Sequence, residues 1–120
     1  MYTSHDITLL MGNKSSDKYD AVKAQIQAIE DELKRLERWQ DAPLPKEKFV
    51  DMGPFGMNTM AIEQWIQFVL VPRVHEIVEE KGEFPKSDFS VVAVRAFDGD
   101  DAAAKLLELI IAFDVIVNGE

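Results

Sequence analysis

The chain has 120 residues, with 13 Lys and Arg against 22 Asp and Glu for a net charge of -9, and it contains no Cys. That length suits one domain with its own core. The missing Cys rules out disulfides, thiolate metal sites and cysteine nucleophiles, and fits the cytoplasm. No uninterrupted apolar run reaches the roughly 18 residues of a membrane helix, and no basic segment leads into a shorter one, so neither a span nor a secretion signal is expected.

Residues 1–16 read as an N-terminal extension, in which Ile7, Leu9, Leu10 and Met11 form a short apolar cluster and Gly12, Asn13, Ser15 and Ser16 a hinge. His5 has no neighbour at metal-ligand spacing and reads as a solvated tail residue. Residues 17–120 form the single domain. Its first helix is expected from Asp17 to about Asp41, because Tyr19, Val22, Ile26, Ile29, Leu33 and Leu36 recur at three and four. The charges between them mix both signs, including Glu30 with Lys34 and Asp31 with Arg35 at i,i+4, which describes a solvated face and not a nucleic-acid stripe.

Pro43, Pro45 and Pro54 keep residues 42–56 out of a helix, yet Leu44, Phe49, Val50, Met52 and Phe55 are too apolar for a free linker. The segment is expected to strap across one end of the core. A connection this long is also the best candidate for a functional loop.

Met57 to Gly82 is the expected central helix, capped by Asn58 or Thr59 and stopped by a left-handed Gly82. Ile62, Trp65, Ile66, Val69, Val74, Ile77 and Val78 keep one apolar face on both sides of Pro72, so the spacing predicts a helix kinked at Pro72 and not broken there. Ser87 to Phe97 is ambiguous. Val91, Val92 and Val94 favour a strand, but a lone strand would find no partner in this chain, and a helix capped by Ser87 or Asp88 is predicted instead. The last helix runs from about Asp101 to Asn118, its apolar residues nearly all round. Together these segments predict an all-α four-helix bundle with a long apolar strap between the first and second helices.

The polar candidates cluster behind Pro72. His75 and Glu79 share a face at i,i+4, but without a second His outside the tail they make neither a zinc motif nor a di-iron one. No metal, cofactor or catalytic set is therefore assigned. Arg73, in an apolar setting, needs a carboxylate if it is buried, and Asp114 between Phe113 and Val115 is the natural partner for a structural ion pair. Arg73, His75 and Glu79, with Phe55 and Trp65, are the candidate rim for a ligand or partner.

Phe55, Met60 and the run Glu63-x-Trp65-Ile66-Gln67-Phe68-Val69-Leu70-Val71-Pro72-Arg73, with Trp39 and Asp114, give the chain a further character. It resembles the YqcC-like family of small bacterial proteins over about residues 17–118. The longer N-terminus and Val91 to Val94, where relatives usually carry Pro with aromatic and acidic residues, depart from the pattern. The resemblance implies a compact helical bundle and a gene neighbourhood shared with a tRNA pseudouridine synthase, but no activity. The synthase chemistry itself needs a larger α/β domain with an Asp nucleophile. The residues favour a non-enzymatic protein-interaction or accessory module, seen as a homodimer or with a protein partner. The excess of acid, -5 of it in residues 83–120, argues against direct nucleic-acid or membrane binding. The other reading is a small-molecule binder or enzyme using the rim around Arg73 and His75.

Overall fold

A computed structural model of the chain describes the backbone of residues 3–119 and the side chains of residues 17–119. The apolar cluster Ile7 to Met11 and His5 lie outside the described side chains. Four helices are present and no strand occurs among the described residues. The first helix is Thr3–Arg35, so its backbone begins well before Asp17. It also ends before Asp41. Glu37 turns left-handed at φ 61°, and the Arg38 N–H reaches back to the Leu33 carbonyl at 2.8 Å while Glu37 N–H bonds Lys34 at 3.0 Å, a paired closure that terminates the helix.

The central helix is continuous but begins at Ile62, not at Asn58, and runs as Ile62–Trp65, a π-helical stretch Ile66–Leu70, and Val71–Glu80. Asn58 and Thr59 do not cap it. They tie the preceding loop to itself, Asn58 Nδ2 donating to the Asp51 carbonyl at 3.2 Å and Thr59 Oγ1 to that of Lys48 at 2.5 Å. Ala61 starts the helix instead, its N–H satisfied by Gln64 Oε1 at 2.9 Å. Pro72 is accommodated by the wide turn before it: Val71 N–H bonds the Ile66 carbonyl five residues back, inserting an extra residue where the proline ring would otherwise meet a regular turn. The stop is also displaced by one residue. Lys81, not Gly82, takes the left-handed conformation at φ 55°, and Gly82 N–H closes on Ile77 at 3.0 Å.

The ambiguous segment is helical over Phe89–Ala96. Its Val residues are handled by burying the opposite side: Phe89, Ala93 and Phe97 enter the core, while Val91 and Val94 remain exposed. A single turn Asp101–Ala103 leads into the last helix, Ala104–Asn118. The core is the meeting of the predicted stripe Val22, Ile26, Ile29 and Leu33 with Ile66 and Val74 of the central helix and Leu106, Ile110 and Phe113 of the last. Each stripe removes apolar area from water against the other helices, which is what makes the bundle cohere.

Residues 42–56 contain two short turns, Lys46–Phe49 and Pro54–Gly56. Phe55 is the anchor of this strap. Its backbone is left-handed at φ 55°, unusual for a bulky side chain, and Gly56 follows at φ 69°. That pair of conformations turns the Phe55 ring onto Phe89, stacked at 5.8 Å, and edge-on to Trp65 at 5.2 Å. Gly56 is buried, and a Cβ there would stand 2.7 Å from Met60 Cγ. Elsewhere the strap is open: Phe49 and Val50 are exposed.

Candidate functional site

Three of the five candidate rim residues meet at one cleft. Phe55, Trp65 and Arg73 line a hollow of about 230 Å³ between the central helix and the connection Phe84 to Asp88. Leu70, Val74 and Ile77 supply the helical wall. His75 and Glu79 fall on the opposite face of that helix, rotated away from the arc of Arg73, Val74 and Ile77 that lines the cleft. Neither borders the cleft, and no hydrogen bond joins them.

The ion pair expected between Arg73 and Asp114 does not form. Arg73 is exposed and donates to Glu76 Oε1 at 3.1 Å within its own helix. Asp114 is buried as expected, but its partners are neutral: Ser87 Oγ donates to Oδ1 at 2.5 Å and Ser90 N–H donates to Oδ2 at 2.8 Å. Ser90 lies in the first turn of the third helix, so the carboxylate caps from another helix the backbone donors that this helix cannot satisfy itself. Four residues further on, Asn118 repeats the theme, accepting from Ser87 N–H and donating to the Ser87 carbonyl, both at 2.8 Å.

A second clip of this kind holds the start of the strap. Gln67, buried in the π-helical stretch, accepts from Gln40 N–H at 3.0 Å and donates to the Gln40 carbonyl at 2.7 Å, copying a backbone pairing with a side-chain amide. Gln64 Nε2 completes the set on Gln40 Oε1 at 3.0 Å.

Charge is concentrated in two intramolecular arrangements that the i,i+4 reading missed. Arg38, read as part of a solvated face, reaches Asp100 with a forked pair of hydrogen bonds at 2.8 and 3.1 Å and Glu63 at 3.4 Å. These bonds hold the Asp100 carboxyl below the usual carboxylate range, against the opposing effect of burial, and raise the Arg38 guanidinium. Glu32 is buried and bound by the Arg35 guanidinium through both oxygens; those hydrogen bonds lower its pKa against desolvation, and Lys105 on the last helix adds attraction. Of the expected helix pairs, Glu30 and Lys34 do meet at 2.7 Å, whereas Asp31 accepts from Gln27. The sequence signal for Arg38 and Asp100 was weak, since 62 positions separate them.

Among the described residues no three His, Asp or Glu side chains come together as metal ligands would, and no helix is long and apolar enough to cross a membrane. Chemically, the features that remain open are an aromatic cleft with cations at its mouth and an exposed apolar face beside the strap.

A family model, DUF446, described as "tRNA pseudouridine synthase C", matches residues 21–116. The chain belongs to this YqcC-like family. It is 38% identical to "Uncharacterized protein YqcC" of Escherichia coli strain K12 over 68 residues, 56% of this chain and 62% of that protein. A Haemophilus influenzae protein is 27% identical over 97 residues, covering 80% of this chain and 92% of its own. The solution NMR structure of E. coli YqcC superimposes with a TM-score of 0.76 at 26% identity, over 84% of this chain and 88% of that one. A Pectobacterium carotovorum protein named tRNA pseudouridine synthase C is 34% identical over 68 residues, which is 57% of this chain but only 18% of that protein. The all-helical bundle and the family resemblance read from Glu63 to Arg73 are thereby established.

Proposed function

We propose that this chain is a non-enzymatic accessory module of the cytoplasm that acts through protein contact, and that its partner is the catalytic domain of a tRNA pseudouridine synthase. The observation that carries the reading is the exposed apolar face at the strap. Phe49, Val50 and Met57 are 40, 63 and 66% exposed. Phe49 lines an open groove with Met52, Phe68, Val69 and Pro72, bordered by Arg73 and Glu76, and Met57 lines a second hollow with Met60, Ile62 and Val91. Apolar side chains gathered this way on a small domain mark a contact surface.

The choice of partner is supported by the Pectobacterium protein, in which the similar stretch is 18% of a chain named for that activity. A module tethered to a catalytic domain meets it at high effective concentration, and an exposed apolar face gives such a module the surface with which to dock. When the partner is lacking, a second copy covers the same face, so the free protein is a homodimer. RNA contact belongs to the partner, since a net charge of -9 repels a phosphate backbone.

Titrating the isotope-labelled chain with unlabelled synthase from the same bacterium tests the reading. Amide shifts clustered at Phe49 to Met57 and Phe68 to Glu76 are expected. Unchanged spectra at equimolar synthase would refute it.

A further inference from the structure

The cleft behind the central helix shares Arg73 with the groove beside the strap but is otherwise lined by different residues and has a different character. Its floor and walls are aromatic, with Trp65 and Phe89 at a 5.0 Å centroid distance and Phe55, Phe84 and Phe113 around them. Its mouth is charged. Arg73 and Lys86 both line it, against one carboxylate, Asp88. Lys86 makes no ion pair among the described residues, and Arg73 has only its exposed contact to Glu76. Surface pairs at that spacing on one helix are weak and exchange readily with a competing anion. On a chain of net charge -9, two cations lining one apolar hollow form a local exception to the surrounding field.

We propose that this cleft binds a small carboxylate with an apolar body, the body resting between Phe55, Trp65, Phe84 and Phe89 and the carboxylate meeting Arg73 and Lys86. Size sets the class. A dry apolar cavity of about 150 Å³ accepts benzene, and pockets for drug-sized ligands start near about 300 Å³. The hollow of about 230 Å³ therefore suits a phenyl ring with a short chain, or an alkyl chain of similar bulk. Sign sets the head group. Arg offers a planar fork matched to a carboxylate, and Lys adds a second donor, whereas a cationic head would be repelled and a neutral one would leave both cations to water. The Ser87 hydroxyl is already committed to Asp114, so it does not compete for the ligand.

The test titrates the labelled full chain with phenylbutanoate, with phenylbutanol and with phenylbutylamine, read at the Trp65 indole N–H and the amides from Phe84 to Phe89. The carboxylate should saturate these signals in the millimolar range or tighter, with the alcohol weaker by about tenfold and the amine weaker still. Lys86→Gln and Arg73→Gln, both at exposed positions, should each lower carboxylate affinity toward that of the alcohol and leave alcohol binding unchanged. Absence of saturable shifts, equal affinity for all three compounds, or a preference that survives both substitutions would overturn the proposal. Arg73 also borders the strap groove but Lys86 does not. Loss of ligand preference in Lys86→Gln with synthase contact intact therefore separates the cleft from the docking face.

Discussion

Asp114 on the last helix accepts the Ser90 N–H of the third helix at 2.8 Å, fixing the short helix to the bundle by its own unsatisfied donor. A helix of eight residues is marginal alone, so this one depends on tertiary contacts for its existence. Removing the acceptor exposes the weakness. Asp114→Ala should destabilise the protein by ~1.5–3 kcal/mol in urea unfolding, in the range for hydrogen bonds to charged groups and their stranded partners. Arg73→Ala should change stability by less than ~0.5 kcal/mol, the usual effect of a surface pair. The contrast is diagnostic: equal losses would restore the ion pair that the sequence suggested.

Asp100 offers a prediction in pH. Arg38 depresses the folded-state pKa of Asp100, so the folded state favours the ionised form more than the unfolded chain does. The stabilisation is therefore complete above the ordinary aspartate value of about 4 and is lost as pH falls from there through the lowered folded-state value. Asp100→Asn should unfold at a lower temperature than the parent at neutral pH, and the gap between the two melting curves should narrow under acid. A gap independent of pH would assign the effect to packing.

Gln67 is the position where a one-atom change should matter most. Gln67→Glu replaces the amide donor facing the Gln40 carbonyl with an oxygen, leaving that carbonyl without its partner. A cost of ~1–3 kcal/mol is expected at neutral pH, with faster hydrogen exchange at the Gln40 amide as the strap loosens at its root. Unaltered exchange there would show that Phe55 alone holds the strap.

The helical stripes were legible in the sequence because period three and four in Val22 to Leu33 and in Ile62 to Val78 is a local property. The helicity of Phe89–Ala96 was legible for another reason: Val propensity yields when no neighbouring strand exists to pair. Long-range polar choices were not legible. Asn58 and Thr59 have capping chemistry, but whether they satisfy a helix or the loop behind them depends on how Gly53, Phe55 and Gly56 turn the chain. Asp114 likewise signalled a need for a partner without saying that Ser87 and Ser90 would supply it. Of the proposed rim, Phe55, Trp65 and Arg73 line one cleft, while helical rotation turns His75 and Glu79 away from it.

Arg38 also bears on RNA. Its guanidinium is committed to Asp100 and Glu63, which removes one of the few cations that might have met a phosphate. A labelled tRNA at low salt, where electrostatic attraction is strongest, should remain unbound at micromolar protein. Salt-sensitive binding in that range would contradict the assignment of RNA contact to the partner.

Sedimentation at micromolar concentration, with the chain alone and then mixed with the synthase, tests the protein-contact account most directly. The account predicts a homodimer alone and a faster-sedimenting complex in the mixture, both weakened by Val50→Asp in the exposed face. A 13.6 kDa species that neither self-associates on concentration nor shifts in the presence of the synthase would contradict it.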